Sequence, residues 1–131
     1  MRLLVLNWQD RENPQAGGAE THLHEIYGRL AARGHDVTLL CSGFAGGAPT
    51  TVLDGMRVHR VGGRWDFPLH VRAGYRALRA AGGPFDVVIE DINKLPLFTP
   101  LWVEERVDVV IPHLFGWTAF REASVPVAAT V

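Results

Sequence analysis

Short apolar runs alternate along the chain with stretches of helical periodicity. The runs over residues 2–7, 36–41, 86–89 and 107–111 are continuous, as in the buried strands of a parallel sheet. Apolar positions recur at helical spacing from about 19 to 33 and from 68 to 81. A short extra strand pairing around Gly55, a short helix over 118–123 and a strand fragment over 125–131 complete the pattern. The alternation predicts a three-layer α/β/α sandwich around a mainly parallel sheet.

Polar residues follow several of the predicted strands. In open parallel sheets, ligands bind at the carboxyl ends of the strands. Those ends are Asn7 onward, Cys41–Ser42, residues 90–93 and 112–113. The coincidence of polar side chains with these strand ends predicts a binding site at that edge.

A glycine pair, Gly17–Gly18, lies between the first strand and the first helix. One reading is anion binding by backbone N–H groups at the helix start, and the other is a plain turn. The third glycine of a dinucleotide-binding fingerprint is absent, and the second strand does not end on an acidic residue. A nicotinamide-dependent oxidoreductase therefore has little support.

The other candidate residues each carry two readings. The segment that contains Asp91 and Asn93 could bind a hydroxyl-rich substrate or could simply end a strand in an Asx turn. His113 could contact a ligand or be a packed imidazole. The first helix also carries polar residues for which we expect a solvated face rather than a metal site: Glu20, His22, His24 and Glu25.

Composition narrows the class of protein. The length of 131 residues suits one domain. The 13 basic and 14 acidic side chains nearly cancel, and the sequence shows no basic stripe of the kind that binds nucleic acid. No apolar run is long enough to span a bilayer. The single cysteine, Cys41, predicts a buried thiol and a cytoplasmic location.

Three blocks of sequence resemble one known family. These are the apolar run with Asn7-Trp8, the block NPQAGGAE over 13–20, and LAARGHDVT over 30–38. Together with DGMRV (54–58), FDVVI (85–89), DINKLP (91–96) and HLFG (113–116), they resemble the N-terminal domain of glycosyltransferase family four. The resemblance implies a Rossmann-like domain of the GT-B fold in a retaining enzyme that uses a nucleotide-diphosphate sugar.

The resemblance also implies roles for particular residues. Gly17 and Gly18 would bind the donor diphosphate, and Asp91 and Asn93 would face the hydroxyl acceptor substrate. Relatives read His-His or His-Gln where this chain has Pro112-His113, so either His113 is the catalytic histidine or that histidine is absent. No metal and no cofactor is implied.

The end of the sequence adds an expectation about domain organisation. A complete sandwich of this type ends with a helix over the last strand, whereas Val131 lies inside an apolar run. We expect residues 1–131 to be one N-terminal domain, truncated at its C-terminus, without the donor-binding half and inactive alone. The alternative is a non-catalytic binding or assembly module that needs a partner chain. Expected partners are a separate C-terminal half or a second copy, with peripheral membrane contact as a further option.

Overall fold

A six-stranded sheet with one helix on each face forms the fold. The computed structural model describes residues 1–91, 97 and 99–110. The strands are β1 (Arg2–Leu6), β2 (Asp36–Ser42), β3 (Thr50–Leu53), β4 (Met56–Val61), β5 (Val87–Asp91) and β6 (Val107–Val110). The helices are α1 (Gly18–Ala32) and α2 (Phe67–Gly82), with a 3₁₀ turn at Thr99–Leu101.

The strand order is β3-β4-β2-β1-β5-β6, and every neighbouring pair is parallel except β3 with β4. The predicted Rossmann-like α/β fold with a mainly parallel sheet is therefore confirmed. One expectation needs correction, because β4 is not a minor extra pairing but lies inside the sheet, parallel to β2. In β4, buried Met56, Val58 and Arg60 alternate with more exposed residues, which differs from the continuous apolar run typical of a buried parallel strand.

Two apolar cores lie on opposite faces of the sheet. On one face, α1 contributes Leu23 to a cluster that includes Val5 and Leu39 from the strands. On the other face, α2 contributes Phe67 to a cluster that includes Leu6. Because successive strand residues point to opposite faces, each central strand supplies both clusters.

The helix boundaries follow local rules. Gly34 comes two residues after α1 with a φ of 95°, a left-handed conformation that glycine adopts without strain. Pro68 occupies the first turn of α2, where its missing N–H has no helical partner to lose. Within the described residues, no helix is long and apolar enough to cross a membrane. The elements predicted over 118–123 and 125–131 lie outside the described residues.

Candidate functional site

The carboxyl edge of the sheet contains a topological switch point. From β1 the chain crosses to β2 on one side, while β5 lies on the other side of β1. In open α/β sheets, ligands bind in the crevice at such a point, which here lies at the ends of β1 and β5. The loop after β1, the start of α1 and the end of β5 all meet there.

Gly17 and Gly18 form the start of α1 at this edge. Gly17 is the N-cap residue, and its N–H donates to Glu20 Oε1 at 2.9 Å. A Cβ placed on either glycine would meet no atom within 4 Å, so the space beside them is open. Among the described residues no acceptor is found for the N–H groups of Gly18 and Ala19. Of the two glycines, Gly18 is therefore the one whose N–H can bind a ligand, because the N–H of Gly17 already donates to Glu20.

Glu20 links the glycine turn to the end of β1. While Oε1 accepts from Gly17, Oε2 accepts from Asn7 Nδ2 at 3.1 Å, and the same Nδ2 donates to Gln9 O at 2.6 Å. Glu20 is only 3% exposed, so the expectation that it lies on a solvated helix face is wrong. A glutamate three residues after an N-cap is a capping signal that could have revealed this contact.

His24, also expected on a solvated face, is buried as well. Its Nε2 accepts the N–H of Arg11 at 3.2 Å, so Nδ1 carries the proton of the neutral ring and donates to Asp54 Oδ2 at 2.9 Å. Arg11 Nε donates to the same carboxylate oxygen at 2.8 Å. These hydrogen bonds, Arg11 first and His24 second, lower the pKa of Asp54. The arrangement fastens the loop after β1 to the turn between β3 and β4.

Asp91 ends β5 in a buried position. Burial and then the negative charge of Glu20 raise the pKa of Asp91 to about 7. Neighbouring Glu90 points to the α2 face and accepts from the N–H groups of Leu97 at 2.6 Å and Thr99 at 3.2 Å. Glu90 is thus held by the loop that follows β5, whereas Asp91 Oδ1 has no hydrogen-bond partner among the described residues. The predicted residues Asn93 and His113 lie outside the described residues.

Tyr27 lies two turns along α1 from Glu20 and belongs to the same neighbourhood. Burial raises the pKa of its hydroxyl, and the negative charges of Asp91 and Asp108 raise it further. Because Asp108 pairs with Ile89 across β5 and β6, Asp91 and Asp108 both lie on the face of the sheet that α1 covers. Glu20 belongs to α1 itself. This face of the crevice is consequently rich in hydrogen-bond acceptors and negative charge.

A buried ion pair supports the loop after β1. Arg60 of β4 contacts Asp10 through Nε at 2.7 Å and through Nη2 at 3.1 Å. Although burial opposes ionisation, the Arg60 guanidinium holds the pKa of Asp10 below its usual value. Cys41 donates its thiol to Asp10, and burial raises the pKa of that thiol well above normal. The predicted burial of Cys41 is confirmed, and such a thiol is a poor nucleophile.

A cavity of about 640 Å³ opens at the same edge, beyond β2 and β4. Its walls are the loops that follow β1, β2 and β4, and its lining includes Asn13, Phe44, Arg60 and Arg64. Gly17, Gly18 and Asp91 are not among its described lining residues. The cavity therefore neighbours the switch-point crevice without containing the predicted site residues.

The strand order and the crossovers define the class of protein as a Rossmann-like α/β domain. A sequence model described as Glycosyltransferase Family 4 matches residues 16–131, which is most of the chain. The chain belongs to glycosyltransferase family 4, and it carries a glycosyltransferase-type domain. No curated protein matches the chain.

Proposed function

We propose that the chain is the acceptor-side, N-terminal domain of a retaining glycosyltransferase. In the complete enzyme, a sugar would pass from a nucleotide-diphosphate sugar to a hydroxyl of the acceptor substrate. The observation that carries the proposal is the open helix start at Gly18, located at the switch point of the sheet. Membership in glycosyltransferase family 4 supplies the reaction class.

The start of α1 suits a diphosphate for two reasons. The N–H groups of Gly18 and Ala19 find no acceptor among the described residues, and the helix dipole favours negative charge at this end. Gly17 contributes differently, because its N–H is held by Glu20. Gly17 contributes because it has no side chain, which leaves room for the nucleotide-diphosphate sugar to approach the backbone.

The remaining roles follow the resemblance to the family. Asp91 and Asn93 would contact the acceptor substrate, and His113 would contact the transferred sugar. A single lobe does not hold both substrates in reactive geometry, and such positioning supplies roughly 7–11 kcal/mol in favourable cases. We therefore propose that the chain alone transfers no sugar, and release of nucleoside diphosphate above a blank would contradict this.

Gly18→Ala tests the diphosphate site. The added Cβ meets nothing in the chain, and alanine is the better helix former, so the free energy of unfolding should stay equal or rise by up to about 1 kcal/mol. The methyl group would nevertheless occupy the space of the bound diphosphate. We expect uridine diphosphate to shift the amide NMR signals of Gly18 and Ala19 in the wild type. The variant should bind uridine diphosphate at least about tenfold less tightly.

The matched control is His22→Ala, an exposed substitution one turn further along α1. It should change neither stability nor nucleotide binding. Should guanosine or adenosine diphosphate shift the same amides instead, the site stands with a different base. Absence of any shift at Gly18 with all three diphosphates, or equal binding by Gly18→Ala, would refute the assignment.

A further inference from the structure

Two buried oxygen atoms at the crevice lack hydrogen-bond donors. They are Asn7 Oδ1 and Asp91 Oδ1, and neither has a partner among the described residues. Asn7 is 1% exposed and Asp91 is 7% exposed. Buried polar atoms are nearly always hydrogen-bonded in folded proteins, so two such atoms at one place call for an explanation.

The strand register brings these two residues together. Leu6 of β1 pairs with Glu90 of β5, so Asn7 and Asp91 are the next residues along two neighbouring parallel strands. Val5 and Ile89 belong to the core on the α1 face, and the alternation of side chains places Asn7 and Asp91 on that face too. Contacts of Asn7 with Glu20, and the effect of Glu20 on Asp91, agree with this placement.

The orientation of the Asn7 amide is fixed by its other bonds. Nδ2 donates to both Gln9 O and Glu20 Oε2. Turning the amide over would place Oδ1 against two oxygen atoms and lose both bonds. Oδ1 is therefore the group that remains available, and it can only accept a hydrogen bond.

The residues around these two oxygens favour a ligand that donates hydrogen bonds and is not an anion. Glu20 from α1 adds negative charge beside Asp91, and Asp108 from β6 and the Tyr27 hydroxyl from α1 share this face. A phosphate or carboxylate placed directly against Asn7 Oδ1 and Asp91 Oδ1 would bring its charge next to these carboxylates and would find two acceptors instead of donors. Hydroxyl groups meet both requirements, since each donates one hydrogen bond without adding negative charge.

We infer that Asn7 Oδ1 and Asp91 Oδ1 form a diol-binding notch that takes two adjacent hydroxyl groups of the sugar-accepting substrate. Neighbouring strands lie about 4.8 Å apart, so hydroxyls on adjacent carbons can each donate to one of the two oxygens. The identity of the ligand as the acceptor substrate rests on the proposed function. The preference for adjacent hydroxyls rests on the notch itself.

Two small probes test the inference on the 131-residue chain without nucleotide. They are cis-1,2-cyclohexanediol, whose hydroxyls are adjacent, and cis-1,3-cyclohexanediol, which has the same groups one carbon further apart. Hydrogen bonds to a carboxylate favour its charged form, so the 1,2-diol should lower the pKa of Asp91, followed by carboxyl NMR. It should also shift the side-chain amide signals of Asn7. The 1,3-diol should bind at least about threefold less tightly, the loss of one hydrogen bond.

Variants separate a binding role from a structural one. Asp91→Leu removes the acceptor at similar size, so it should abolish diol binding without lowering stability, because it also removes a buried atom that lacks a partner. Asp91→Asn keeps an oxygen acceptor and should retain most of the binding if the leucine variant fails to fold. Asp108→Asn, on the next strand and the same face, is the matched control and should bind the 1,2-diol like the wild type.

Two results would overturn the notch. If neither diol moves the Asp91 titration, the two oxygens are bridged by an ordered water only. If both diols act equally, adjacency is not recognised. Because no nucleotide is present, failure of diphosphate binding at Gly18 would leave this result intact, and failure of the notch would leave the diphosphate site intact.

Discussion

At the scale of single residues, burial decides which polar groups at the crevice are held internally and which remain available. Glu20 and Glu90 are both buried, yet each uses its carboxylate to bind backbone N–H groups of its own chain. Asp91 ends the strand that contains Glu90 and points to the other face, where one of its oxygens has no partner among the described residues. Adjacent carboxylates thus differ in role because the strand turns them to opposite faces.

The raised pKa of Asp91 gives a prediction for stability against pH. Its pKa is about 7 in the folded chain and 3.8 as a free side chain, so the folded state binds more protons between these values. Lowering the pH from about 8 to about 5 should therefore raise the free energy of unfolding of the wild type, relative to Asp91→Asn, by about 2–3 kcal/mol. Urea unfolding of both proteins at the two pH values measures this difference.

Using the difference between the two proteins cancels other titrating groups. Asp10 and Asp54 have lowered pKa values, which act in the opposite direction and only at more acidic pH. A wild type and an Asp91→Asn variant that respond identically to pH would show that Asp91 is ionised in the fold like an exposed aspartate.

At the scale of elements, the hairpin of β3 and β4 depends on a two-residue turn. Asp54 has a φ of 54° and Gly55 a φ of 79°, and both positive values match the turn type that joins twisted antiparallel strands most directly. The same turn presents the Asp54 carboxylate to Arg11 and His24. A local sequence signal, Asp-Gly, thereby fixes a long-range contact with the loop after β1.

Gly55→Ala should lower the free energy of unfolding by about 1–2 kcal/mol. The left-handed backbone is strained for alanine, and the new Cβ would lie 3.3 Å from the Cβ of Ala31. Urea denaturation provides the measurement, with Gly18→Ala as the comparison, since its Cβ meets nothing and its backbone is helical. Equal losses in the two variants would show that backbone conformation at position 55 does not govern the cost.

At the scale of the whole molecule, the carboxyl and amino ends of the strands present different groups. The carboxyl edge gathers the open helix start and the buried oxygens of Asn7 and Asp91. At the amino edge, Arg2 is occupied within the chain: its guanidinium donates to Pro84 O at 3.0 Å and lies 4.1 Å from the centre of the Phe85 ring. Stability and ligand binding should accordingly respond to different edges.

Arg2→Met tests this division. It removes the contacts that join β1 to the segment before β5, so the free energy of unfolding should fall by about 1–3 kcal/mol. Binding of uridine diphosphate, followed by the amide signal of Gly18, should stay unchanged at a temperature where the variant is fully folded. Weaker binding by the folded Arg2→Met chain would mean that the two edges are coupled.

The sequence by itself determined the order of strands and helices and the mainly parallel sheet. Period and turn chemistry are local properties, so residues 2–7 and 19–33 could be assigned from their own composition. It did not determine that β4 lies inside the sheet, because an arginine at position 60 interrupts the apolar pattern and is neutralised by Asp10, fifty positions earlier.

The tertiary structure alone decided which polar residues are partnered. Asn7 and Asp91 are far apart in sequence and become neighbours only through the register of β1 and β5. Glu20 and His24 were expected in solvent because a helical pattern shows which residues share a face but not what packs against that face. The loop after β1 covers them, and hydrogen bonds to Asn7 and Arg11 then satisfy them, a pairing that depends on contacts between segments and not on local sequence.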